Sequence, residues 1–235
     1  MNTSMKIVLG VVGVVLLSAG VYLYKNPGHL LPVAEGDTIT TWDFQGSYKD
    51  GGALEKKAND EIARSRSMLG GDQSGKDDNP TDYVLYVNIA NQYVLLGNGK
   101  GAYENLGRAL RIDAVHTGLA WHNLGVLFER LGAYNTARIA YAKAVEVQAK
   151  IEQYHLAWLT FLMNHFASDT SVIEAAFKEA KAKIGDSPAI FQIEAEWHRK
   201  NGRTSDAADT LENMQKLIGV SNPEVSSEIA RLRAL

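Results

Sequence analysis

The sequence predicts an all-α protein: a solenoid of about four helix-turn-helix units with a capping helix, preceded by one transmembrane helix. Three observations carry that expectation. Residues 7–24 hold no charged side chain. Beyond Pro80 the apolar residues recur at helical period, and no persuasive strand pattern interrupts them. Residues 89–113 align with residues 124–148 at a constant offset of 35, a spacing typical of stacked two-helix repeats.

Composition narrows the function. The 235 residues are 46% apolar and 22% charged, enough for one core or a short repeat array. The formal net charge is −3, and without residues 1–25 the chain keeps 22 basic against 27 acidic residues. A phosphate-backbone binder needs the opposite balance, so no nucleic-acid partner is expected. The chain has no cysteine, which excludes thiolate metal sites, disulfides and a cysteine nucleophile and leaves the redox compartment open.

Residues 1–25 are read as a transmembrane signal-anchor. As a helix, IVLGVVGVVLLSAGVYLY (7–24) rises about 27 Å, close to the hydrocarbon thickness of a bilayer. Tyr22 and Tyr24 stand at one end, where interfacial aromatics belong, and Lys25 follows. The competing reading is a cleaved secretory signal, with Lys6 as its basic end and Ser18-Ala19-Gly20 as its small-residue site. The apolar run continues past those small residues, which favours the uncleaved anchor. Positive-inside bias places the short tail in the cytoplasm and the repeat domain on the extracytoplasmic side.

Residues 26–52, with Pro27, Pro32 and several glycines, read as a linker that lifts the domain off the membrane. Within them Thr38–Phe44 alternates enough for a short extended segment. Residues 53–69 form an amphipathic helical pattern, with Leu54, Ala58, Ile62 and Leu69 near one stripe. Residues 70–82 are a polar loop. From Gly70 to Lys76 this loop matches the phosphate-cradling pattern G-x-x-x-x-G-K, but Asp77 stands where a magnesium-binding Ser or Thr is required, and Asp78 follows. No buried strand precedes it, so nucleotide binding is not expected. A second glycine run, Gly97–Gly101, falls between two predicted helices. There Gly97 ends a helix in the left-handed conformation, and Gly99 and Gly101 loosen the turn.

Residues 83–235 read as the helical repeat domain. Ile89-Ala90 aligns with Leu124-Gly125, Tyr93 with Phe128, Leu96-Gly97 with Leu131-Gly132, Ala102 with Ala137, and Ala109 with Ala144. Two more degenerate units follow at 154–183 and 188–219. Asn222-Pro223-Glu224 then opens a last helix, with proline in the first turn and an acid beside it. Trp121-x-x-Leu124-Gly125-x-x-Phe128 with Ala137, Tyr141 and Ala144 resembles a tetratricopeptide repeat, and the resemblance extends over about residues 83–235. Small residues at Gly125 and Ala137 let paired helices approach, while Tyr86, Trp121, Phe128 and Tyr141 fill the space between hairpins. Each hairpin leaves one face unburied until a neighbour stacks on it.

The resemblance implies a right-handed array whose first helices line a concave, peptide-binding groove. Carried over by register, the lining is Val87, Asn91 and Val94, then His122, Asn123, Val126 and Glu129, then His155, Trp158 and Leu162, with Gln192, Glu196 and Arg199 in the fourth unit. Asn91 and Asn123 match asparagines of the family's carboxylate-clamp members. The clamp lysine, however, falls on Val87 and the third unit's basic pair on His155 and Leu159, so clamping of chaperone tails is not expected. Trp158 and Leu162 are equally readable as core, and Ile39–Phe44 or the 53–69 helix could lie against the array and shield it.

No catalytic, cofactor or metal site is expected. The six histidines (29, 116, 122, 155, 165, 198) form no metal-binding pattern, and Asp72, Asp77, Asp78 and Asp82 lack the spacing and closing glutamate of a calcium loop. The leading expectation is a membrane-anchored interaction scaffold that binds a protein or peptide partner. The alternative is a structural subunit of a membrane or envelope assembly, a homo-oligomer whose repeats pack on sister subunits.

Overall fold

A computed structural model describes residues 31–71 and 80–235. The expected membrane span 7–24 and most of the G-x-x-x-x-G-K stretch lie outside the described residues. Among those described, no helix is long and apolar enough to cross a membrane.

The described residues form ten helices: α1 (Ala53–Met68), α2 (Asp82–Leu95), α3 (Gly99–Ile112), α4 (Leu119–Arg130), α5 (Tyr134–Val147), α6 (Glu152–His165), α7 (Thr170–Ile184), α8 (Pro188–Lys200), α9 (Thr204–Ile218) and α10 (Pro223–Arg233). The chain divides into two compact units between Gln148 and Ala149, inside the stretch that the sequence suggests is one repeat domain. In the first unit α2 pairs with α3 and α4 with α5, while α1 packs on α2. In the second α6 pairs with α7 and α8 with α9, and α10 packs on α9.

Local chemistry sets most helix boundaries. Asn98 accepts the Gly101 N–H at 2.8 Å to cap α3. Ser187 and Asn222 cap α8 and α10, each followed by proline at the first helical position. Three hairpins close through the same turn. The N–H groups of Asn98, Ala133 and Arg203 each donate at 2.9 Å to a carbonyl five residues back. Each turn carries a left-handed glycine, Gly97 (φ 76°), Gly132 (φ 73°) and Gly202 (φ 69°), the backbone state that ends a helix without exposing its last carbonyls. The α6/α7 hairpin lacks that glycine and turns through Phe166–Asp169, where the Asp169 N–H donates to the Phe166 carbonyl at 2.9 Å. Its two helices touch less extensively than those of the other pairs.

The interior of the first unit follows the expected small-to-large pairing. Trp121, Leu124, Phe128 and Ala137 are all buried, and a fully buried side chain of Phe size contributes about 1.5–3 kcal/mol. A Cβ on Gly125 would stand 2.7 Å from the Tyr141 ring, so the glycine is what lets that ring lie between α4 and α5. Tyr86 is half-buried, with the Arg108 guanidinium 5.8 Å from its ring centroid.

Residues 31–49, read from the sequence as part of a linker, instead form a strap docked on the first unit. Leu31 is buried, and its carbonyl accepts from the Tyr103 hydroxyl at 2.7 Å. The Ala34 N–H donates to Thr136 Oγ1 at 2.9 Å. Asp37 then caps α5, which has no cap from its own N-terminal residue: its carboxylate accepts from the Thr136 N–H and hydroxyl, both at 2.7 Å, and from the Asn135 N–H at 3.2 Å. Trp42 packs against Tyr103, with ring centroids 4.9 Å apart. Farther on, the strap pairs backbone to backbone with the α2–α3 turn: the Gly99 N–H donates to the Trp42 carbonyl (2.8 Å), the Phe44 N–H to the Gly97 carbonyl (3.0 Å), and the Tyr48 N–H to the Leu95 carbonyl (2.9 Å).

This docking corrects the reading of the Gly97–Gly101 run. A Cβ on Gly97 would lie 2.1 Å from the Phe44 carbonyl oxygen, and one on Gly99 2.5 Å from the Trp42 carbonyl oxygen. A Cβ on Gly101 would meet the Tyr93 ring at 2.9 Å. These glycines therefore tighten the turn against its neighbours rather than loosening it. Removing the trans cap in Asp37→Ala is expected to cost about 1 kcal/mol. Gly99→Ala, which must push the strap off, is expected to cost roughly 2 kcal/mol or more. Urea unfolding of the two variants beside the parent chain measures both.

Candidate functional site

In the first unit α2 and α4 lie side by side as the leading helices of successive hairpins. Asn91 on α2 is exposed and Asn123 on α4 half-buried. The Asn123 side-chain N–H donates to the Asn91 Oδ1 at 2.9 Å. Among the described residues neither side chain makes another hydrogen bond, so the pair still presents the Asn91 amide NH2 as donor and the Asn123 carbonyl as acceptor. Val94 and Val126, each three positions beyond its asparagine on the same helix, are half-buried. The result is a strip of helix surface with apolar ground and a matched donor and acceptor.

Beside it on α4 sit His122 and Glu129, both half-buried and both turned toward Tyr141 of α5. The Tyr141 hydroxyl donates to Glu129 Oε2 at 2.7 Å, and the His122 ring meets the Tyr141 ring edge-on at 5.8 Å. Burial first, then the hydrogen bond to Glu129 and its negative charge, push the Tyr141 phenol far above its usual range. Burial pulls His122 below the ordinary imidazole value, so its neutral form is favoured. Tyr141 thus locks the side chain of Glu129 in place. The alignment marks Tyr141 only as a packing residue; its distance of 12 positions from Glu129, across a hairpin turn, is the signal that the two could meet.

The remaining residues expected to line a groove are placed differently. Val87 is 1% exposed and packs inside the first unit. In the second unit His155, Trp158 and Leu162 are also buried. The His155 Nε2 lies 2.8 Å from the Ala149 carbonyl, and Trp158 stacks on Phe161 at 6.0 Å with an interplanar angle of 17°. Register transferred from a repeat motif locates a residue on a helix, but a displacement of one residue rotates it by about 100° and carries it from surface to core. Gln192, Glu196 and Arg199 stand exposed on α8. Neither the strap nor α1 covers Asn91: the strap lies on the hairpin-turn edge at Gly97, Tyr103 and Thr136.

These features define an all-helical protein of paired hairpins with a polar and apolar strip on its leading helices. No family model matches the chain, and no curated protein matches it. Among solved structures, MamA of AMB-1 is similar at a TM-score of 0.49 and 18% identity, over 76% of this chain and 94% of that one. A likeness of that degree says nothing of what this chain binds.

Because Tyr141 stays protonated in the fold while an unfolded tyrosine titrates near pH ~10, its contribution to stability is complete below that pH and is lost as pH rises beyond it. Tyr141→Phe is expected to lower stability by about 1.5 kcal/mol at neutral pH and to flatten the alkaline loss. Tyr83, also raised by burial, retains the rest. Urea titrations between neutral pH and the alkaline limit test both parts.

Proposed function

We propose that the chain is a membrane-anchored interaction scaffold, a tetratricopeptide-like right-handed array whose α2–α4 face holds a segment of a protein partner. Its work on this reading is binding, not catalysis. The observation that carries it is the Asn91–Asn123 pair, whose unused donor and acceptor are the complement of one peptide group's carbonyl and N–H. Val94 and Val126 supply apolar contact one helical turn farther along, and the Tyr141 hydroxyl fixes the position of Glu129. The anchor is residues 7–24, uncharged and long enough to span a bilayer. Positive-inside bias supports an extracytoplasmic location for the helical units.

A second reading, a structural subunit that packs on sister copies, is favoured by one feature of the second unit. Leu217, Ile218 and Val220, at the end of α9, are 45%, 50% and 66% exposed, a local apolar patch of the kind that association covers.

A photo-crosslinking residue at Val126 in the full-length chain, in its own membrane, separates the two. The scaffold reading expects adducts with a different polypeptide that fall severalfold when Asn91 and Asn123 are both changed to alanine. Adducts only with copies of the same chain, together with a large stable oligomer in detergent, would establish the structural reading instead. Deletion of residues 2–25 is expected to release the protein from the membrane fraction, and retention there would remove the anchor from the proposal.

A further inference from the structure

We propose that the second unit contains a carboxylate-binding cleft between α7 and α8, centred on Arg203. The cleft encloses about 410 Å³. Phe177 and Trp197 form its apolar part, with ring centroids 5.6 Å apart. The Arg203 guanidinium lies over the Trp197 ring, 3.9 Å from its centroid. Its Nη1 donates to Glu174 Oε1 at 3.0 Å. Stacked on one side and tied at one nitrogen, the guanidinium is held before any ligand arrives, which lowers the entropy lost on binding.

The hydrogen-bonding balance of the walls decides which ligand fits. Both carboxylates of the cleft are engaged, Glu174 by Arg203 and Glu194 by Lys181. Donors are left over. Arg203 Nε and Nη2 make no hydrogen bond among the described residues, and Lys178 is exposed with no ion pair among them. Trp197 is 3% exposed, and its indole N–H has no acceptor within the described chain. His198 Nδ1, a donor in one neutral tautomer and an acceptor in the other, is also buried without a hydrogen-bond partner, 3.8 Å from Asp206 Oδ2. Burial and then the neighbouring Arg203 charge favour its neutral form.

A cationic ligand would meet carboxylates already neutralised, and Lys178 and Arg203 would repel it. A carboxylate meets the free edge of a planar guanidinium, which it can engage with two parallel hydrogen bonds, and gains from the charge of Lys178. An acidic side chain, a chain-terminal carboxylate and a small free carboxylic acid share this chemistry. The cleft lies wholly in the second unit and does not depend on the Asn91–Asn123 face.

Tryptophan indole resonances provide a direct readout. The chain has four tryptophans, and Trp197→Phe assigns the signal of interest in the ¹⁵N-labelled full-length protein in detergent micelles. Three probes are titrated: end-blocked tetraglutamate, tetra-alanine with a free C-terminus, and succinate. The proposal expects a saturable shift of the Trp197 indole with at least one of them, with the Trp42 and Trp121 signals unmoved. The probe that saturates at lowest concentration identifies the source of the carboxylate. Arg203→Lys, which keeps the charge but loses the planar fork, is expected to weaken binding by about tenfold or more, and Lys178→Gln by about two- to fivefold. Because Lys178 is exposed, its variant reports on binding even if Arg203→Lys disturbs the packing of Trp197. No saturable shift with any probe, or binding unchanged in both variants, would overturn the assignment.

Discussion

A pair of short helices cannot bury all of its apolar surface against itself, and that constraint organises both units. Two faces of each hairpin are apolar, one turned to its own partner helix and one to whatever comes next. In the first unit the inner face closes where Gly125 admits the Tyr141 ring, and the outer face of α2 is covered by α1. In the second unit α10 does the same service for α9, with Ile229 and Leu232 packed on Ala207 and Ala208. The covering helices are more polar along their length than the helices they cover.

The strap adds a different kind of closure to this scheme. Side-chain packing joins helix to helix, but the strap is joined to the first unit largely through its backbone and through one carboxylate. Asp37 supplies to α5 a cap from almost a hundred positions upstream, so the start of one helix and the path of a non-helical segment are stabilised together. The Trp42, Tyr103 and Phe128 rings complete the contact, with Tyr103 and Phe128 centroids 5.7 Å apart. Cap, ring cluster and turn pairing share the same edge, so a change at one is felt by the others through the strap.

What could be read from the sequence follows from how each element is held. Helices held by side-chain burial leave a period in the sequence, and the pairs α2/α3 and α4/α5 were legible for that reason, down to Gly97 as a left-handed helix end. Asn222-Pro223 announces α10 because its capping chemistry is local. The strap was legible only as the possibility that Ile39–Phe44 lies against the array: a segment fixed by its own N–H and C=O groups needs no apolar period, and Pro32 and the glycines around it imitate a linker. The same holds for Gly99, whose role is set by the Trp42 carbonyl over fifty residues away. Register brings Asn91, Asn123 and Val126 to the surface of α2 and α4, whereas Val87 and His155 are buried, as are Trp158 and Leu162, which the sequence left equally readable as core, since burial depends on neighbours that a motif does not specify. Arg203 and Trp197 belong to no pattern at all, as their meeting depends on the geometry of one turn.

The docking of Leu31 also sets a length scale. Seven peptide steps separate Tyr24, the end of the proposed bilayer span, from Leu31, and a chain of that length reaches at most about 25 Å when fully extended. On the proposed anchor, the docked strap would moor the first unit at Leu31 within that distance of the lipid surface, whereas a free 26–52 leash could stray several times as far. A protein so moored samples a thin layer above the bilayer instead of a volume. It would meet other membrane-bound molecules far more often than soluble ones at the same abundance, and releasing the strap would lengthen the leash and change which partners come within reach.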